Sequence, residues 1–306
     1  MRKLPQEIID RIVSFLPGWT PEKQPSRAPY ACISNRFRYA VERGSFRSLR
    51  ISSGELQDLV LKLPPHGRSF LRELFFSVEL SQVDGASAKR FERPAETASA
   101  SRQFSLQIKE LFNALHKLDG IAGLRLYLSN VTQPAASAED EPALPRLDCV
   151  SHLTFSNWQR KPCPSVYLDI AARLAGLGKL DLFLDGFEMR FPGRLRDDRK
   201  SLALALETRS EETQTISHAT LDMSLDSGAI LQTLPMPDNK YPLEYDALSS
   251  SLRTWSQRLV HFSVRGVVDE SLFWPHTQDN AAAAPPEWQR MESFDVQLER
   301  HTPSGW

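Results

Sequence analysis

The side chains able to do chemistry are spread thinly along this chain. Cys149, His152 and Cys163 are zinc-ligand types. They lack paired C-x-x-C spacing and a clear fourth ligand, so structural roles are expected and no metal or cofactor. Cys32 as a nucleophile would need a neighbouring base and an exposed, low-pKa setting. It lies beside the apolar face of a predicted helix, so a packed thiol is expected. Asp181/Asp185 and Asp197/Asp198 have the composition of acid–base pairs. Such pairs also arise by chance when 25% of residues are charged. If 180–182 is a strand, Asp181 points to the face opposite Leu180 and Leu182. Gly176-Leu177-Gly178-Lys179 lacks the remaining spacing of a phosphate-binding loop, and G-x-G-x-x-G, H-E-x-x-H and G-x-S-x-G are absent.

Two basic sets stand out: Arg36, Arg38, Arg43, Arg47 and Arg50 near the start, and Arg190, Arg194, Arg196, Arg199 and Lys200 in an expected loop. A nucleic-acid surface would interleave aromatic platforms with such charge. Phe187 and Phe191 are near the second set, but Asp197 and Asp198 dilute its field, so no nucleic-acid partner is expected. Trp255, Trp274, Trp288 and Trp306 cluster in the last fifth. Aromatic anchors are enriched in binding hot spots. Trp255 is expected in the core, while Trp274 and Trp288 sit at loop edges. Trp274, Trp288, Arg194 and Arg196 are therefore the candidates for contact with a protein substrate.

The element that must organise everything else is the first helix, Leu4 to Leu16. Pro5 suits a first helical position, Glu7 meets the positive end of the dipole, and Pro17-Gly18 closes the segment. At ~100° per residue, Phe15, Ile8, Ile12, Leu16, Ile9 and Val13 cover an arc of roughly 160°. A helix needs only ~100° of apolar stripe to seat on its own core. The excess implies one client inside the chain and one outside it. A polar connector, 18–27, leads to a second expected helix, Pro29 to Arg43, with Tyr30, Ile33, Phe37, Ala40 and Val41 on one face and Gly44 past its end.

The chain has 306 residues, 41% hydrophobic, with formal net charge −1. No global field draws it to nucleic acid or anionic lipid. Three cysteines in a chain this long suggest a reducing compartment. No apolar run approaches the ~18 residues of a membrane span, and the start does not resemble a signal peptide. Cytoplasmic or nuclear location is expected, with no membrane partner.

Beyond Ile51, short apolar-x-apolar strands recur: Leu74-Phe75-Phe76, Leu124-Arg125-Leu126, Leu153-Thr154-Phe155, Leu180-Asp181-Leu182, Leu221-Asp222-Met223, Phe262-Ser263-Val264 and Phe294-Asp295-Val296. Helical patterns fill the gaps at Gly54–Leu63, Gln103–Leu118, Val166–Leu177, Ser201–Thr208 and Tyr245–Leu259. Asp84–Arg102, Gln133–Arg146 and His276–Glu287 read as surface excursions. One strand and one helix per ~27 to 50 residues predicts an irregular α/β solenoid of the leucine-rich-repeat kind. A single α/β domain with alternating elements is the alternative. No polar closing cap is found after His301, so the sequence is expected to be truncated or to end unusually.

The opening reads Leu4-Pro5-x-Glu7-Ile8-Ile9-x-x-Ile12-x-x-Phe15-Leu16, then Ala31-Cys32-Ile33-Ser34-Asn35-Arg36-Phe37-Arg38-Tyr39-Ala40-Val41-Glu42, with an exit into Phe46-Arg47-Ser48-Leu49. By these residues it resembles the F-box of filamentous-fungal proteins. Pro29-Tyr30 stands where many F-boxes have Asp-Leu. The resemblance covers about the first 50 residues and implies an adaptor-docking module over 1–50, with a recognition region over 51–306. It implies that the Skp adaptor of a cullin–RING ubiquitin ligase is the outside client, contacted by Leu4, Pro5, Ile8, Ile9, Ile12 and Leu16. The protein would place a substrate and do no bond chemistry itself. An F-box protein acting outside ubiquitin ligation, or an enzyme with a dispersed site, are the alternatives.

Overall fold

A computed structural model describes residues 4–16, 28–80, 94–130, 144–158, 162–184, 192–224, 245–275 and 287–298. The 18–27 connector, most of the 133–146 and 276–287 segments, Asp185, Arg190, Phe187, Phe191, Trp306 and the end of the chain lie outside them.

In chain order the described elements are helices α1 (Gln6–Phe15), α2 (Ala28–Ala31) and α3 (Asn35–Ser45), strand β1 (Ser48–Ser52), helices α4 (Leu56–Lys62) and α5 (Pro65–Arg68), β2 (Glu73–Val78), α6 (Pro94–Lys117), β3 (Leu124–Asn130), β4 (Val150–Trp158), α7 (Pro164–Ala171), β5 (Lys179–Phe183), α8 (Pro192–Thr208), β6 (His218–Met223), α9 (Ala247–Ser256), β7 (His261–Gly266) and β8 (Ser293–Leu298). All seven apolar-x-apolar triplets are strands, β2 to β8. The Phe46–Ile51 segment supplies β1.

The fold is mixed α/β. The eight strands form one sheet in sequence order, and every neighbouring pair is parallel. Parallel neighbours need crossovers, which the intervening segments supply. Parallel sheets covered on both faces have nearly continuous apolar strands. Here the strands alternate instead. Leu74, Phe76 and Val78 of β2, Leu126 and Leu128 of β3, Leu153 and Phe155 of β4, and Phe262 and Val264 of β7 are fully or almost fully buried. They join Leu111 and Phe112 of α6, Tyr167 and Leu168 of α7, Leu202 of α8, and Leu248 and Leu252 of α9 in one continuous core. The residues between them face the other way and remain largely half-exposed or exposed.

Gly176 holds two crossovers tightly together. A Cβ there would lie 2.4 Å from the Asp148 carbonyl oxygen, so the glycine serves backbone packing. Gly266, at φ 137°, has a comparable role against the Met223 backbone at the end of β7.

The N-terminal helices form a second, small core. Ile9 and Val13 of α1 pack on Ala40 and Val41 of α3, with Leu16, Tyr30, Ala31 and Phe37 around them. The module joins the sheet through an edge-on Tyr39–Phe70 contact, centroids 5.0 Å apart, and a His66–Glu42 hydrogen bond of 2.8 Å. The boundary expected at residue 50 falls inside β1. The change of core lies between Val41 and Phe46, whose ring packs on the sheet side.

Several local expectations are corrected. The second helix is broken: Ser34 adopts extended geometry and caps α3 by accepting from the Phe37 N–H. The break leaves Cys32 exposed and not packed, and turns Ile33 outward. Pro5 is the N-cap of α1 and not its first residue, and Gly44 lies within α3 and not beyond it. Much of the 84–102 excursion is helical, because α6 begins at Pro94. Ala, Ser, Glu and Thr extend a helix once the 104–118 stripe has nucleated it. The basic 190–200 stretch is no loop from Pro192 on; it is the first half of α8.

Candidate functional site

Among the described residues two surfaces are open to partners. The first is the outer side of α1. Ile9 and Val13 use the inward stripe, while Leu4, Ile8, Ile12 and Phe15 remain 52%, 46%, 39% and 75% exposed. Arg36 on α3 donates to the Leu4 carbonyl, and Arg43 pairs with Asp10 at 2.9 Å, which ties the start of α1 to α3. Among the expected adaptor contacts, Leu4, Pro5, Ile8 and Ile12 are at the surface and Leu16 is half-buried. Ile9 is sealed inside the module and presents no surface. Phe15, the most exposed of the apolar set, was absent from it.

The second surface is the open sheet face, where strand register arranges side chains in rows. One row runs Arg50, Phe75, Tyr127, Thr154, Asp181, Thr220, Ser263 and Asp295. The Arg50 guanidinium lies 4.8 Å over Phe75, which stacks on Tyr127 at 4.3 Å. Both faces of the Phe75 ring are thereby occupied. A base-stacking platform needs free ring faces, and this stack presents edges.

The neighbouring row runs Glu73, Arg125, His152, Lys179, His218 and His261. His152 Nε2 lies 2.7 Å from Asp181 and 3.2 Å from the Thr154 hydroxyl. Because an ionised carboxylate only accepts, Nε2 carries the proton. A hydroxyl–imidazole–carboxylate relay uses both ring nitrogens. Here the same nitrogen faces both partners, so the three groups form a bound pair with a hydroxyl beside it. Burial opposes ionisation of Asp181, but hydrogen bonds from His152 and Thr220, with the charges of His152 and Lys179, outweigh it and hold the carboxyl below its ordinary value. The His218 and His261 rings lie with centroids 4.4 Å apart, tilted by 31° to one another. Burial, His261 and Lys179 together depress His218, against a smaller opposing effect of Glu292.

A scan of protein-family models matches no part of the chain, and a search of curated proteins returns no match.

The remaining candidates are dispersed. Trp274 is 68% exposed beside the 3-10 turn Glu270–Leu272. Trp288 is half-buried; its indole donates to Ser256 at 3.0 Å and its ring leans on Phe294 at 5.4 Å. Packing thus claims the residue expected at a recognition surface. Arg196 is half-buried on α8, and the side chain of Arg194 lies outside the described set. Arg199, counted with the basic loop, is buried and pairs with Asp246. Trp255 is in the core as expected. Cys149 packs against the core, where burial pushes its thiol up. Cys163 lies 3.1 Å from the Ser201 hydroxyl. Among the described residues no three His, Cys, Asp or Glu side chains converge as a metal site, and no helix is long and apolar enough to cross a membrane.

The basic row was not anticipated. Its signal was nonetheless present, since Arg125, His152, Lys179, His218 and His261 each immediately precede an inward-facing residue of their strand.

Asp181→Asn tests this geometry. A carboxyl whose folded pKa is lowered adds stability above its unfolded value near ~3.9, lost as pH falls through the folded one. The variant is expected to lower the denaturation midpoint at neutral pH and to flatten the acid-side decline below about pH 4. Urea titrations at neutral and acid pH read both effects.

Proposed function

We propose that this protein is the substrate-recognition subunit of a Skp–cullin–F-box type ubiquitin ligase, working in the cytosol or nucleus. The supporting observation is the divided first helix. Ile9 and Val13 satisfy the module's own core, while Leu4, Ile8, Ile12 and Phe15 stay largely uncovered. An amphipathic helix with such a face suits helix-in-groove docking. Each apolar side chain fully buried contributes roughly 1.5–3 kcal/mol before association costs. Three or four are enough to anchor an adaptor.

The sheet supports the second half of the reading. Eight parallel strands in sequence order, with one face packed and the other presenting polar and aromatic rows, suit a leucine-rich-repeat-like array that holds a protein substrate. Trp274 is the exposed residue of the expected substrate contacts that remains available to one. The contribution is placement: the substrate is held near the conjugating machinery, an effective-concentration effect. An adaptor-binding protein outside ubiquitin ligation is the second reading, since the same α1 face would support it; it would capture adaptor without cullin. The shared use of His152 Nε2 disfavours a hydroxyl–imidazole–carboxylate relay at Thr154, His152 and Asp181.

Co-expression with the Skp adaptor tests the reading. The wild-type chain is expected to co-purify with it. Ile8→Asp with Ile12→Asp should reduce capture at least about tenfold with an unchanged circular dichroism spectrum, because neither side chain belongs to the inner core. Undiminished capture by a folded double variant overturns it.

A further inference from the structure

We propose that the basic row of the open sheet face, Arg125, His152, Lys179, His218 and His261, is a binding site for an acidic peptide segment, strengthened as the histidines protonate. The proposal deepens the recognition role assigned above to the sheet and rests on it for biological context.

Register places one nitrogen base at the same level on each of five adjacent strands, β3 to β7. With strands ~4.8 Å apart the row spans about 19 Å, the length of about six extended residues. Three of its five side chains are well exposed, Arg125, Lys179 and His261 at 57%, 45% and 42%, while His152 is 17% exposed and His218 half-buried. Most of its own acid contacts are long and loose. Glu73 reaches Arg125 at 3.5 Å, Asp181 reaches Lys179 at 3.5 Å, and Glu292 reaches His261 at 3.6 Å. The Glu73–Arg125 and Glu292–His261 pairs are partly or largely exposed; such pairs are worth little and yield to an incoming carboxylate. The His152–Asp181 pair at 2.7 Å is the tight one.

Charge decides when the row attracts. Of the outward strand residues, Arg50, Arg125, Lys179 and Arg265 are matched by Glu73, Asp181, Asp222 and Asp295, Glu292 beside His261 adds one further acid, and protonation of the histidines reverses the sign. His152 faces Asp181, Thr154 and Tyr127. His218 faces His261, Lys179 and the Ser217 hydroxyl, with Glu292 acting from the far side. Four residues further along the same strands, Arg265 and Asp222 are 3.8 Å apart. A second imidazole and a lysine beside His218 oppose its protonation, and an anion laid across them removes that opposition. By linkage, such a ligand binds more tightly at lower pH.

The occupant is a peptide and not a nucleic acid. The faces of the Phe75 ring are taken, and the acids scattered through the rows repel a backbone charged at every residue. A peptide carries its carboxylates intermittently and brings N–H donors for Asp181 and Asp222.

The test uses the full chain without adaptor and a fluorescein-labelled peptide of alternating glutamate and glycine, followed by anisotropy. Binding about tenfold tighter near pH 6 than near pH 8 is expected. Arg125→Gln with Lys179→Gln should weaken it at both pH values, His218→Asn with His261→Asn should flatten the pH dependence, and Lys200→Gln on α8 should change nothing. Ile8→Asp with Ile12→Asp should bind the peptide like wild type, which separates this result from the adaptor assay. Absence of binding at both pH values, equal loss in Lys200→Gln, or stronger binding of a single-stranded oligonucleotide overturns the proposal.

Discussion

Replacing Asp246 by alanine is expected to destabilise the fold by about 3–5 kcal/mol. Arg199 and Asp246 are 4% and 2% exposed at their side chains and meet through two guanidinium contacts. A buried pair is not in itself strongly stabilising, because both charges lose water. Removing one partner leaves the other charge buried and alone, and that is what costs. Asp246 has a second role as the N-cap of α9, accepting from the Ser249 N–H at 2.9 Å and from the Ser249 hydroxyl. Ser249 in turn accepts from the Asp269 N–H at 3.1 Å, and Ser271 donates to the Asp246 carbonyl at 3.2 Å. The Asp246 carboxylate therefore ties α8 to α9, and the Asp246 carbonyl and Ser249 hydroxyl carry the link on to the 270–272 turn. Adding Arg199→Met to Asp246→Ala should recover part of the loss but not the cap, which is typically worth about 1 kcal/mol. Urea unfolding midpoints of the two variants measure the difference.

Phe155→Ala is expected to cost a comparable 3–5 kcal/mol. The ring is fully buried on β4 and meets Tyr167 of α7 edge-on at 4.7 Å. Its register neighbours, Leu128 and Leu182, belong to strands fixed from both sides, so the cavity has little room to collapse. Tyr167 is also fully buried and loses its ring partner. Thermal unfolding reads the loss. Phe155→Leu, which keeps most of the volume, should retain the larger part of the stability.

The helix expectations failed for two different physical reasons. Ser34 broke the second helix because its hydroxyl takes a backbone N–H at the start of α3, a competition that apolar periodicity does not register. The 94–102 stretch became helix because neighbouring turns propagate cheaply once a buried stripe exists. Trp288 was expected to meet a partner and Arg199 to lie in a basic loop, and both are used internally, by Ser256 and Asp246. Both internal partners lie more than 30 residues away in sequence, beyond any local signal.

From the sequence alone came the α/β class, the seven strand triplets, the surplus apolar arc of the first helix and the inward or outward sense of Asp181. These follow from periods of two and 3.6, which are properties of a few consecutive residues. Tertiary structure decided which part of that arc stays uncovered, which arginine is buried, and that five bases on separate strands share one level. Those outcomes depend on register and long-range packing, which no single segment encodes.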